Sequence, residues 1–187
     1  MTASELIQSF RQTSKKGSLD SLKALFSFRS ITNENGLIED SNLNFRIRVV
    51  EGLLYDFSLA DIYLIRDLFN EEIRCELATR RHDNLYQLCF YLYSLGQLED
   101  TFILYDAKFN APNMDVASML DGYAITVGHE IDEVISYVEG EFIKNPLLED
   151  RYPTIINELK DMQEYPSYDS VETYTNFIKG YFLGHKE

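Results

Sequence analysis

The feature that most constrains the fold is a run of four consecutive amphipathic segments between residues 83 and 142. In the first of them Leu85, Leu88 and Leu92 recur every three or four residues, which is the period of an α-helix with one apolar face. Gly96 then follows as a helix stop. Because one apolar face cannot be buried alone, the four helices must pack against one another. The predicted helices cover residues 85–95, 98–109, 116–127 and 131–142.

The rest of the chain adds helices on both sides of this run. Further helices are predicted over residues 2–15, 18–28, 43–57, 58–75, 152–162 and 169–181. The segment 43–50 also alternates apolar and polar residues like a strand, and we favour a helix because a lone strand would lack a partner. Residues 29–42 are polar and predict a loop. From these ten candidate segments we expect one all-α domain, residues 1–187, of about eight amphipathic helices in antiparallel pairs. They would form a helical repeat or an irregular bundle with a central packing unit at residues 58–142.

Polar residues and glycines indicate where several helices begin and end. Ser58 precedes Asp61 by three residues, which predicts a capping box at the start of a helix. Asp83 and Asp169 are placed to begin two later helices. The first helix is predicted to end near Gly17.

Composition indicates a globular chain without a membrane span. No apolar run approaches the ~18 residues that a membrane-spanning helix needs, and the N-terminal residues contain no apolar stretch typical of a signal peptide. The two cysteines, Cys75 and Cys89, are too few for a fold that depends on disulfides. We therefore expect a cytoplasmic protein with two buried, unreactive thiols.

Negative charge is concentrated in the second half of the chain. Residues 1–93 hold 11 basic and 13 acidic side chains, a net charge of −2, whereas residues 94–187 hold 6 and 18, a net charge of −12. A field of this sign repels nucleic acid and anionic membranes, and it attracts basic proteins. The distribution therefore argues against both as partners and favours a basic protein. The alternative is that the acidic surface only maintains solubility.

One short motif resembles part of a metal site. His129 and Glu130 match the first half of a zinc hydrolase signature, but Glu133 stands where the second histidine is required. One helical turn places His129 and Glu133 on the same face, where a metal-dependent or acid/base enzyme could use both. We favour the alternative that these acids complement the dipole of a helix N-terminus. The sequence predicts no cofactor and no metal, since it contains no glycine-rich phosphate loop and no nucleophile elbow.

Tyrosines are abundant, at 13 residues, whereas tryptophan is absent. Tyrosine buries a large area at low entropic cost and is enriched at protein interfaces. On this argument Tyr105 and Tyr123 are candidate binding residues. The alternative is that such tyrosines border an ordinary core with their hydroxyls in water.

Four segments share features with known proteins: Asp61–Leu68, Asp83–Tyr86, Leu95–Asp100 and Asp106–Phe109. Through these segments, residues 61–138 resemble a group of uncharacterised bacterial all-helical proteins. In that group a helix that starts with aspartate tends to follow, and Asp115 matches it, which makes Asp115 a further candidate binding residue. The resemblance implies a helical fold and no particular chemistry.

Three functions are consistent with the sequence. The first is a non-enzymatic protein-binding module that uses its acidic C-terminal half, and one form of it is an immunity-type inhibitor of a basic bacterial toxin. The second is an enzyme centred on His129, Glu130 and Glu133. The third is a structural subunit of a homo-oligomer.

Overall fold

A computed structural model describes residues 1–12, 20–79, 84–111 and 114–184 of the protein. These residues form eleven α-helices, two 3₁₀ segments and one small β-hairpin. The α-helices are α1 (Ala3–Gln12), α2 (Asp20–Lys23), α3 (Leu43–Leu53), α4 (Ile62–Thr79), α5 (Leu85–Leu95), α6 (Asp100–Lys108), α7 (Met114–Ser118), α8 (Ile131–Lys144), α9 (Leu147–Arg151), α10 (Ile155–Glu164) and α11 (Val171–Leu183). The 3₁₀ segments are Leu59–Asp61 and Gly122–Thr126, and the strands are β1 (Ser30–Thr32) and β2 (Ile38–Asp40).

The all-α fold class is confirmed. Eight of the helices have nine residues or more, and the other three, α2, α7 and α9, have only four or five. α2 and α7 are shorter than the helices predicted over residues 18–28 and 116–127, and α9 lies in a turn for which the sequence predicts no helix.

The centre of the fold is α5. Seven of its eleven residues are buried, because α4, α11 and the second 3₁₀ segment pack around it. A helix that is apolar on nearly all sides belongs in a core. Two further packed pairs, α1 with α3 and α8 with α10, lie outside this centre. One cluster of buried hydrophobic side chains extends from Leu6 to Ile178.

The segment 43–50 is helical, as the sequence analysis favours. Its buried face nevertheless includes Arg46, which the apolar pattern assigns to the solvent side. Arg46 is fully buried because Asp40 and Glu72 surround its guanidinium group. These ion pairs attach the hairpin to α3 and α4.

The predicted loop 29–42 contains the hairpin. β1 and β2 pair antiparallel in the register Ser30↔Asp40, Ile31↔Glu39 and Thr32↔Ile38. The side chain of Asn33 closes the turn, because its Oδ1 accepts hydrogen bonds from the amides of Asn35 and Leu37. Strands of three mostly exposed residues leave no alternating pattern in the sequence.

The predicted helix 116–127 is interrupted. α7 ends at Ser118, and the side chain of Asp121 accepts a hydrogen bond from the amide of Tyr123 to begin the 3₁₀ segment. Lys108 Nζ donates to the carbonyls of Ala117 and Leu120, which satisfies the end of α7.

The helix ends agree in part with the capping signals. Ser58 and Asp61 form the predicted capping box. The last helix begins after Ser170, whose hydroxyl accepts a hydrogen bond from the amide of Thr173, and not after Asp169. The predictions for Gly17 and Asp83 fall outside the described residues.

Both cysteines are buried and free. Burial raises the pKa of the Cys75 thiol to about 11, so the thiol is protonated near neutral pH.

Candidate functional site

His129 connects the turn after α5 to the start of α8. Its Nε2 lies 2.9 Å from the carbonyl oxygen of Gly96, and its Nδ1 lies 3.1 Å from Oε2 of Glu133. A carbonyl and a carboxylate can only accept hydrogen bonds, so the imidazolium form, with two N–H donors, satisfies both contacts.

This environment favours the charged histidine. Burial opposes protonation, but the hydrogen bond to Gly96 and the bond and charge of Glu133 together outweigh it. The pKa of His129 is therefore raised above its ordinary value of 6.5. A doubly protonated ring has no lone pair for a metal ion. In this arrangement His129 holds two helix ends together.

The backbone beside His129 is strained. Val127 has a φ of 44°, in the left-handed region that a β-branched residue rarely adopts, and Gly128 follows with a φ of 78°. The Val127 side chain is fully buried, which holds the residue in this conformation. A Cβ at Gly128 would lie 3.4 Å from the carbonyl oxygen of Tyr93, so the turn approaches α5 closely.

The other predicted site residues are dispersed. Tyr105 is buried, and its hydroxyl lies 2.6 Å from Oγ1 of Thr154. Tyr123 is also buried and packs on other aromatic rings, so both tyrosines belong to the core. Asp115 is exposed in the first turn of α7. Glu130 is exposed at the N-cap of α8 and makes no capping bond with its side chain.

The structure describes all six predicted site residues. Among them it brings one pair of side chains into contact, those of His129 and Glu133. Within the described ranges, no group of three or more His, Cys, Asp or Glu side chains is placed to hold a metal ion.

A cavity of about 370 Å³ lies between α4, α6 and α7, and no local motif predicts it. Its polar wall centres on Asp106. Oδ2 of Asp106 accepts hydrogen bonds from Arg151 at 2.6 Å and from the Tyr152 hydroxyl at 2.9 Å, and Oδ1 accepts one from Asn110 at 3.1 Å. Burial and the adjacent carboxylate raise the pKa of Tyr152 to about 12. Arg151 and Tyr152 lie more than 40 residues from Asp106 in sequence, so no spacing pattern could reveal these two contacts.

The strongest surface feature is the helix pair α8 and α10. Asp132, at the start of α8, accepts a 2.7 Å hydrogen bond from Gln163, near the end of α10, so the two packed helices run antiparallel. Their outer surface exposes six carboxylates. We call this set the acidic face: Glu130, Asp132, Glu133, Glu139, Asp161 and Glu164.

Together, fold and surface define an all-helical protein with one strongly acidic helix pair. Comparison with models of known families gives no match, and neither the curated proteins nor the solved structures include a significant match to this chain. None of the helices in the described part of the chain is long and apolar enough to cross a membrane.

Proposed function

We propose that this chain is a non-enzymatic protein-binding module whose acidic face docks a basic protein. The observation that carries the proposal is the exposure of six carboxylates on two packed helices. Residues 130–144 and 155–164 contain eight acidic side chains against two lysines, Lys144 and Lys160. A surface of this charge accelerates encounter with a positively charged partner and disfavours anionic ones.

Three arginines elsewhere in the chain each join two carboxylates in internal ion pairs. Arg11 bridges Asp56 and Asp61, and Arg66 bridges Glu99 and Asp100. Arg46 bridges the hairpin and α4 in the same manner. Among the described residues, the acidic face forms one ion pair, between Glu133 and His129. The charge of this surface is therefore available to a partner.

Apolar side chains flank the acidic face at both ends. Tyr165, at the end of α10, is 73% exposed. Ile143 and Leu147, at the turn from α8 to α9, are 83% and 73% exposed. Large apolar groups beside charged ones are typical of protein interfaces, where they supply contact area while the charges supply orientation. The arrangement supports two anchor points about one helix length apart.

An immunity-type inhibitor of a basic bacterial toxin is the specific form of this function that we favour. Charge complementarity gives fast association, which an inhibitor needs to intercept a toxin before it acts. A basic toxin encoded directly beside this gene would be the partner to test. Inhibition of that toxin by the purified chain, at equal molar amounts, would establish the function.

The acidic face is tested with a triple variant, Glu139→Gln, Asp161→Asn and Glu164→Gln. Binding of the neighbouring basic protein is measured by calorimetry at low and at physiological salt. We expect the variant to weaken binding at least tenfold at low salt and to reduce the salt dependence, because three charges leave the interface.

The matched control removes three exposed acids from the other half of the chain, Asp20→Asn, Glu34→Gln and Glu51→Gln. Both variants lose the same net charge, so a general charge effect would weaken both equally. Equal losses, or binding by the wild type that does not depend on salt, would refute the proposal.

A further inference from the structure

A second cavity, of about 320 Å³, lies between the start of α5, the end of α7 and α11, and it is separate from the acidic face. Three aromatic rings line it, those of Tyr86, Tyr168 and Phe177, together with Met119. Phe177 is 48% exposed, and Tyr86 and Tyr168 are half-buried, so the rings border an opening to solvent. The Tyr168 and Phe177 ring centroids lie 5.8 Å apart.

The one charged group in this wall is Asp121. Its Oδ2 accepts a 2.8 Å hydrogen bond from the Tyr168 hydroxyl, and its Oδ1 accepts one of 2.9 Å from the Tyr123 amide. Among the described residues Asp121 forms no ion pair. The nearby ammonium group of Lys108 is instead bonded to the carbonyls of Ala117 and Leu120. The pocket therefore combines a negative charge that lacks a cation with several aromatic rings.

A buried polar atom behind the pocket also lacks a partner. The Tyr174 hydroxyl is fully buried and finds no hydrogen-bond partner in the described part of the chain. The Tyr174 ring packs 4.8 Å from that of Tyr168. Burial raises the pKa of Tyr174 far above its ordinary value, and the neighbouring Asp121, Tyr86 and Tyr168 contribute to the rise.

We propose that this pocket binds a methylated ammonium group, held by the rings of Tyr86, Tyr168 and Phe177 and by the charge of Asp121. Aromatic faces attract cations through their quadrupole, and they do so most strongly when the cation is desolvated. Both oxygens of Asp121 already accept a hydrogen bond, so the carboxylate supplies charge more than directional acceptors. A primary ammonium would leave N–H donors unpaired among these rings, whereas a trimethylated ammonium has none to satisfy.

Two sources carry this chemistry, a methylated lysine side chain on a peptide and a free quaternary amine. The probes are therefore tetramethylammonium, choline, and a short peptide carrying one trimethylated lysine together with its unmethylated twin. Binding is followed through the NMR signals of the tyrosine and phenylalanine rings. Tenfold tighter binding of the methylated peptide than of choline would assign the site to a peptide, and the reverse to a free amine.

Cation recognition is separated from simple apolar binding with two further probes. tert-Butanol matches tetramethylammonium in shape without charge, and methylammonium has charge without the methyl groups. We expect saturable binding of tetramethylammonium and at least tenfold weaker binding of both. Equal binding of tert-butanol, or no saturable binding of tetramethylammonium, would overturn the proposal.

Substitutions test whether tetramethylammonium binds in this pocket. Phe177→Leu and Asp121→Asn should each weaken tetramethylammonium binding about three- to tenfold. Asparagine keeps a side-chain oxygen for the Tyr123 amide, so the fold is retained, as circular dichroism can verify. Tyr55→Leu is the control, since Tyr55 is 84% exposed on another part of the surface. Equal weakening by Tyr55→Leu would overturn the assignment, and neither result depends on the proposed binding of a basic protein.

Discussion

Replacing Arg46 by methionine removes a fully buried cation that pairs with two carboxylates. Nε of Arg46 lies 2.6 Å from Oε2 of Glu72, and NH2 lies 2.7 Å from Oδ2 of Asp40 in an ion pair that is not aligned as a hydrogen bond. NH1 donates to the carbonyl of Phe26 at 3.0 Å. All three charged side chains are fully shielded from solvent. Methionine fills a similar volume, so the substitution tests charge more than packing.

The expected loss of unfolding free energy is about 3–5 kcal/mol, because removing one partner of a buried ion pair leaves the other charges uncompensated. The Phe26 carbonyl loses its donor as well, which contributes about 1 kcal/mol within that range. Against the roughly 5–15 kcal/mol by which domains are stable, this loss is a large fraction.

The sign of the remaining charge makes the prediction specific. Arg46→Met leaves two like charges in the interior, whereas Glu72→Gln leaves Arg46 paired with Asp40 and no net charge. We therefore expect Glu72→Gln to cost clearly less, about 1–3 kcal/mol, from the weakened hydrogen bonds to Arg46 and to the Asn84 amide. Arg74→Met, in an ion pair whose arginine is 61% exposed, should cost less than about 1 kcal/mol.

Urea unfolding at pH 7 and at pH 5 measures these differences. The deficit of Arg46→Met relative to the wild type should shrink at the lower pH, because proton uptake by a carboxylate relieves the repulsion. Equal costs for Arg46→Met and Glu72→Gln, or a deficit that does not change with pH, would refute the electrostatic reasoning.

Five further substitutions test local geometry, each by urea unfolding. Gly96→Ala should lower the free energy of unfolding by about 1–2 kcal/mol, because Gly96 has a φ of 64°. Gly140 lies in the helical interior of α8 with open space around it, so Gly140→Ala should raise the free energy of unfolding by about 0.5–1 kcal/mol. His129→Gln should lower the free energy of unfolding by its full amount below pH 6.5, because the protonated ring makes the favourable contacts. This loss should fade as the pH rises through the raised pKa of His129, and a loss independent of pH would contradict the reasoning. Tyr91→Phe should cost about 1–3 kcal/mol, because it removes the 2.8 Å hydrogen bond to the Val50 carbonyl and the 2.6 Å hydrogen bond from Gln87. Tyr174→Phe removes a hydroxyl that has no partner in the described part of the chain and should be neutral or stabilising.

The long helices could be predicted because their buried residues repeat over several turns. In α8 the buried positions Ile131, Val134, Val138 and Phe142 belong to the apolar stripe visible in the sequence. The hairpin could not be predicted, because each of its strands has only three residues. Part of its stability comes from Asp40, which pairs with Arg46 of α3. α7 is also shorter than its apolar stripe, since it ends at Ser118, where the Lys108 ammonium group bonds to the carbonyls of Ala117 and Leu120.

The candidate sites could be predicted from the sequence only in part, for a different reason. The sequence predicts His129 and Glu133 as neighbours from a helical spacing, and the two side chains are in contact, although His129 precedes the extended N-cap Glu130 of α8. Whether a tyrosine faces a partner or the core depends on which polar group reaches its hydroxyl, and Thr154 lies 49 residues from Tyr105. The contact between Tyr168 and Asp121 spans 47 residues in the same way. Sites built from such contacts carry no local signal.

The two halves of the chain are stabilised differently, and this difference explains where the unpaired charge lies. In the first half, arginines such as Arg11 and Arg46 each join two carboxylates and thereby connect separate elements. In the second half, aromatic contacts such as Tyr123 with Tyr174 connect separate elements. Asp132 and Glu133 of the acidic face take part in internal contacts, with Gln163 and His129, but Glu139, Asp161 and Glu164 form no ion pair among the described residues. Repulsion between these like charges works against the compact state. Neutralising Glu139, Asp161 and Glu164 should therefore leave stability unchanged or raise it, in contrast to Arg46→Met. Exposed like charges that lower stability and take part in no internal ion pair are the expected property of a binding face.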